Sequence, residues 1–218
     1  MLISILFIAF LTYGIFEIRF DYFLKSEHDV DSEKVILTFD DGPNPSTLKV
    51  VDVLKKHDAG AVFFLIGRNI EEYPQVMDDL INSGMVLGNH SYSHSAGFAF
   101  KSTSNICKEL LRTEKLLGSN SMGIFRPPFG ITSPQIARAV RKMGLKSIGW
   151  RVRSLDTVID DKNKLIKKIV NLTKGGSIIL LHETGKTTAS CLDEMIINLK
   201  SSGLDIAKND EIHKLLHA

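Results

Sequence analysis

The chain has 218 residues, 44% hydrophobic and 24% charged, which suits one globular domain large enough to bury a real core. Lysine and arginine number 27 against 25 acids, a net charge of +2 with both signs mixed along the chain, so the basic footprint of a nucleic-acid binder is missing. Cys107 and Cys191 match neither a metal spacing nor a disulfide framework; they read as free thiols, with one bridge as the alternative.

Residues 1–16 (MLISILFIAFLTYGIF) carry no charged side chain, and Glu17, Arg19 and Asp21 follow at once. The run is shorter than the roughly 20 residues a bilayer core asks for, although Ile18, Phe20, Tyr22 and Phe23 could lengthen it at the interface. It has no basic leading region and no small-residue cleavage site. An uncleaved membrane anchor is therefore expected over a removed signal peptide, with a buried first helix or strand as the alternative. Balanced flanking charges give no orientation. Residues 17–29 are expected as a short stalk and residues 30–218 as a single domain.

From residue 34 onward, short β-branched or aromatic runs alternate with polar turns and helical patterns. Strands are expected at 34–39, 61–66, 85–88, 123–125, 146–150, 177–180 and 204–207. Helices are expected near 46–57, 73–83, 103–117, 133–143, 161–173, 188–202 and 209–217. Ser133-Pro134 opens one helix, and Gly60, Gly84, Gly144 and Gly203 follow helix ends. Seven such units predict an α/β protein with a mainly parallel sheet. A barrel of about seven strands is the favoured closure and a doubly wound open sheet the alternative.

Polar clusters sit where the chain leaves these strands: DDGPNP after the first, NHSYSH after the third, RPPFG after the fourth, RSLDT after the fifth and LHET after the sixth. In a parallel α/β fold such exits converge on one face. Asp40 and Asp41 taken alone suit a solvated Asp-Gly turn. His90 and His94, four apart, would point the same way on a helical turn. With one carboxylate they make a three-ligand set suited to a divalent ion such as zinc, which would also relieve the repulsion between the two acids. His213 and His217 share the spacing but sit among Lys and Leu, and are expected on the solvated surface. Arg126, on stiff backbone before Pro127-Pro128, suits a fixed ion pair with Asp40. Asp156 is placed to hold one ring nitrogen of His182 and favour the imidazolium that a general acid needs.

TFDDG, HSYSH, RPPFG, RSLD and LLH, in this order and at these separations, together resemble the polysaccharide deacetylase family, also called the NodB-homology domain or carbohydrate esterase family 4. The resemblance covers roughly residues 34–216. It implies a distorted (β/α) barrel and metal-dependent hydrolysis of N-acetyl or O-acetyl groups on a polysaccharide. Asp41, His90 and His94 would hold a divalent metal, zinc first, with cobalt or nickel as alternatives. Asp40 would be the general base, positioned by Arg126; His182 would be the general acid, tuned by Asp156. Phe129 would offer a backbone N–H to the oxyanion, and Leu180 and Trp150 would lie near the acetyl pocket. Two positions depart from the family pattern: Thr157 where many members carry Trp, and Arg153 where many carry Asp. With the anchor, a cell-envelope glycan and an extracytoplasmic catalytic domain are expected. The alternatives are a non-catalytic glycan-binding protein on the same fold and a glycosidase, although paired glycosidase carboxyls stand about 5 Å or more apart.

Overall fold

The computed structural model describes residues 10, 12–184 and 186–217. Residues 1–9 and 11, most of the expected anchor, lie outside the described residues, and among those described no helix is long and apolar enough to cross a membrane.

Seven strands make one parallel sheet: β1 (Ile36–Gly42), β2 (Ala61–Leu65), β3 (Val86–Asn89), β4 (Ser121–Phe125), β5 (Lys146–Ser147), β6 (Val152–Arg153) and β7 (Ile178–His182). Their order, β5-β4-β3-β2-β1-β7-β6, is cyclic in the sequence, as a closing barrel requires and a doubly wound sheet does not, and the sheet curls into a half-barrel. Around it lie α1 (Thr47–Lys56), α2 (Gly67–Glu72), α3 (Pro74–Asn82), α4 (Thr103–Leu117), α5 (Pro134–Met143), α6 (Lys162–Leu172), α7 (Lys186–Ser201) and α8 (Asn209–His217). Ser133 and Asp161 cap α5 and α6 by accepting the N–H of Ile136 and Lys164, and Pro134 opens α5.

Two expected strands differ. The run 146–150 stops short: only Lys146 and Ser147 form β5, paired with β4, residues 148–151 cross, and β6, paired with β7, begins beyond the expected strand, with no ladder joining β5 to β6. Residues 26–30 lie across this seam. Glu27 N–H donates to Ser147 O at 2.9 Å, Gly149 N–H to Glu27 O at 2.8 Å and Val30 N–H to Gly176 O at 2.9 Å. Residues 204–207 contribute a single bridge, Ile206 to Val35, because β1 is already paired on both sides by β2 and β7.

Side chains alternate between two buried faces, the pattern of a parallel sheet covered on both sides. Leu37 and Phe39 of β1, Phe63 and Leu65 of β2, and Ile179 and Leu181 of β7 face the helices in the larger core cluster. Ile36, Val62, Phe64, Val86, Ile124 and Ile178 face inward and meet Ile212 and Leu216 of α8, which closes one end of the curled sheet. The inward row of β1 continues from Ile36 through Thr38 to Asp40, so the interior turns from apolar to polar toward the carboxyl ends of the strands. Phe39 and Phe63 stack with ring centroids 5.2 Å apart, both fully buried. Phe63→Ala is expected to cost about 3–5 kcal/mol, read as a lower urea midpoint at unchanged slope.

Candidate active site and metal centre

Consecutive strand residues ordinarily point to opposite faces, so two adjacent carboxylates should not share a site. At the end of β1 the register slips: Asp40 pairs with Phe64 and Gly42 with Leu65, leaving Asp41 as the extra residue of a bulge at φ 75°. The bulge turns the second carboxylate to the side of the first. Asn69 Nδ2 holds the turned backbone by donating to Asp41 O at 2.9 Å.

His90 and His94 leave the end of β3 in an irregular loop rather than on a helical turn, wound by positive φ at Ser91 (64°) and His94 (46°). Asn89 anchors the loop: its Nδ2 donates to Leu110 O at 3.0 Å and its Oδ1 accepts the Ser91 N–H at 2.9 Å. The two rings lie 4.7 Å apart. His90 Nδ1 lies 2.8 Å from Arg126 O; a carbonyl only accepts, so this nitrogen carries the proton and Nε2 is left as a free donor atom. Burial, then the charge of His94, hold His90 far below its ordinary value, at about 3, and burial likewise lowers His94. Both imidazoles are therefore in the neutral, ligating form.

His90 Nε2, His94 Nε2 and Asp41 Oδ1 lie within 4.8 Å of one another. Asp41 Oδ1 is 3.4 Å from His94 Nε2 and 3.7 Å from His90 Nε2, near the roughly 3.4 Å that separates two donors sharing a tetrahedral ion at about 2.1 Å. Asp41 Oδ1 is also buried with no hydrogen-bond partner. An orphaned carboxylate oxygen facing two deprotonated nitrogens fits a divalent cation.

Arg126, fully buried at the exit of β4, donates to Asp40 Oδ1 at 2.8 Å and to Thr38 Oγ1 at 2.7 Å through one nitrogen. Its other nitrogens donate to Ile148 O at 3.1 Å and Gly149 O at 2.6 Å. His182 is the register partner of Asp40 on β7, which sets base and acid candidates side by side. Its Nδ1 meets Asp156 Oδ1 at 2.8 Å and its N–H donates to Asp156 Oδ2 at 2.7 Å. Burial pulls the His182 pKa down, but the Asp156 hydrogen bond and the charges of Asp156, Asp40 and Asp41 outweigh it, and the net shift is upward.

A cavity of about 270 Å³ opens over these groups, lined by Asp40, Asp41, His90, His94 and His182 and walled by Phe129, Trp150, Leu155, Leu180 and Val158. Arg153 and Thr157, the two departures, also line it. Arg126 and Asp156 stand behind the wall. Phe129 holds φ 60° in the tight turn Pro128–Gly130, and its ring packs 4.5 Å from His94. All ten residues expected at the site gather here, while His213 and His217 are exposed on α8.

Sequence reasoning missed the groups behind the first layer. Ser154 Oγ donates to Asp156 Oδ1 at 2.8 Å and Thr188 Oγ1 donates to Asp156 Oδ2. Glu183, directly after His182, is 1% exposed, and burial pushes its carboxyl up to about 8 against the opposing hydrogen bond from Thr47. A small hydroxyl or an acid at a strand end carries no periodic signal; only the LHET cluster pointed to this region.

The sequence model of the family described as polysaccharide deacetylase matches residues 27–148. A peptidoglycan-N-acetylglucosamine deacetylase of Listeria monocytogenes is 33% identical over 187 residues, 84% of this chain and 39% of that protein, so the chain spans well under half of that relative's length. A chitooligosaccharide deacetylase of Azorhizobium caulinodans is 35% identical over 159 residues, covering 70% of this chain and 75% of that one. The crystal structure of a family 4 carbohydrate esterase pseudoenzyme from Bacillus anthracis superposes with a TM-score of 0.78 at 26% identity, covering 88% of this chain and 68% of that one. With the family model matched over more than half its length and the curled parallel sheet in place, this chain belongs to the polysaccharide deacetylase family.

Proposed function

We propose that this chain is a metal-dependent hydrolase that removes acetyl groups, N-acetyl first, from a cell-envelope polysaccharide. The observation that carries the reading is the convergence of Asp40, the neutral His90–His94 pair, Asp41 and the Asp156-held His182 on one cavity. A pseudoenzyme shares the fold, so the reading rests on these side chains and not on architecture. The half-barrel is read as the distorted seven-stranded (β/α) barrel of the family.

Asp41, His90 and His94 would hold the ion, zinc first, with cobalt and nickel as alternatives. When bound, the ion supplies Lewis-acid chemistry, polarising the acetyl carbonyl and acidifying water. Asp40, held in place by Arg126, takes the proton of the attacking water. The Phe129 N–H is the chain's donor to the oxygen on which negative charge develops. Trp150 and Leu180 hold the acetyl methyl away from water. His182 gives its Nε2 proton to the departing sugar nitrogen, and acetate and a free amino sugar leave. The proton on Asp40 then returns through solvent to His182, restoring both groups. The listerial relative's name supports peptidoglycan as the polymer and, with it, a catalytic domain outside the cytoplasm, and the uncharged run 1–16 supports membrane attachment.

Acetate release is expected from a panel of acetylated glycans, to be abolished by chelator and restored by Zn²⁺. New reducing ends without acetate would instead indicate a glycosidase, and retention of glycan without product a binding protein. Asp40→Asn should keep its zinc, measured by titration calorimetry, while turnover falls by about 100- to 10,000-fold. His94→Ala should weaken zinc binding sharply and His213→Ala should leave it unchanged. Because Asp156 raises the His182 pKa, and a general acid works only while protonated, Asp156→Asn should move the alkaline limb of the kcat profile to lower pH.

A further inference from the structure

We propose that Glu183 is a positioning residue for this site: its carboxyl braces the turn that carries Asp40 and Asp41 against the strand that carries His182, and so sets the spacing between ligand, base and acid. This rests on the metal-hydrolase reading above. Glu183 follows His182 at the end of β7, and its N–H donates to Asp40 O at 3.3 Å, continuing the β1–β7 ladder past the last paired residues. Its side chain then runs under the turn between β1 and α1. Thr47, the first residue of α1, donates its hydroxyl to Glu183 Oε2, and that hydroxyl accepts the Asn44 N–H at 2.9 Å. Asn44 Nδ2 approaches the same carboxyl oxygen at 3.5 Å. The other oxygen, Oε1, is buried, has no hydrogen-bond partner and would stand 2.1 Å from a Cβ at position 42.

Gly42 is thus the space into which Glu183 fits. A buried carboxyl pressed against bare backbone one residue beyond Asp41, and tied to the next helix by Thr47, leaves the turn one seating. Reactive groups misplaced by about 1 Å lose roughly 100-fold in rate, so a brace of this kind is worth its desolvation. The raised pKa agrees with this seating, since the neutral acid can sit beside Asp40 and Asp41 without adding a third charge.

Two substitutions of matched size test the assignment. Glu183→Gln keeps the shape and the acceptor for Thr47; it should bind Zn²⁺ and release acetate within about threefold of the parent. Glu183→Leu fills the space without a polar atom; it should fold by circular dichroism yet bind Zn²⁺ at least tenfold more weakly and lose about 100-fold in kcat with KM little changed. Should the leucine variant fail to fold, Thr47→Val removes the partner hydroxyl and should show the same pattern in milder form. Parental zinc affinity and kcat in folded Glu183→Leu or in Thr47→Val, or a glutamine variant as impaired as the leucine one, would overturn the proposal. Zinc affinity is read without any glycan. A parent that binds zinc but deacetylates nothing would therefore defeat the hydrolase reading, while the calorimetric comparison still decides the brace.

Discussion

A guanidinium with no access to water meets a carboxylate at 2.8 Å in the interior of the curled sheet, and the rest of the site is arranged around that contact. Burying two charges costs several kcal/mol per ion unless their remaining hydrogen-bonding groups are also satisfied. Here Thr38, Ile148 and Gly149 take three of the other four guanidinium protons, and the face of the group lies over the Phe64 ring at 4.2 Å. Burial lowers the Arg126 pKa, and the charge and hydrogen bond of Asp40 oppose that shift. The two carbonyls it binds belong to the crossing between β5 and β6, where the sheet has no ladder. One side chain therefore fixes Asp40 and also satisfies the backbone at the place where the wall is unpaired.

The site loops depart from ordinary backbone in a way that follows from the same need. Asp41, Ser91, His94, Phe129 and Leu155 all hold positive φ, each a conformation costing an L-residue roughly 1–2 kcal/mol. Regular strand or helix geometry could not bring adjacent carboxylates, two imidazoles and a loop N–H to a single cavity. The packed sheet below, its central strands β2 and β3 buried on both faces, supplies the stability that tolerates these conformations.

Much of this was legible in the chain itself, because buried parallel strands are apolar throughout and their exits are polar. The runs at 34–39, 61–66, 85–88, 123–125 and 177–180 announce strands for that reason, and the residue types at their ends announce chemistry. Four things escaped the pattern. The early end of β5 at Ser147 and the start of β6 at Val152 depend on which neighbours are free to pair, a property of the whole sheet. Helix α2 has Ile70 as its one large aliphatic residue and so shows little periodicity. The bulge at Asp41 converts a repulsive acid pair into a shared site, but a bulge leaves no mark beyond the pair itself. Glu183 entered the sequence reading only as part of the LHET cluster, because its partners, Gly42 and Thr47, are remote along the chain.

The N-terminal segment ahead of the family match is built into the same wall. Thr132 donates its N–H to Ile15 O and its hydroxyl to Gly14 O, both at 2.9 Å, and Ile18 packs against Trp150 and Leu180 in the cavity wall. Little slack remains between residue 14 and the mouth of the cavity. A membrane attachment through residues 1–16, as proposed above, would therefore present the mouth of the cavity at a set bearing rather than on a loose tether.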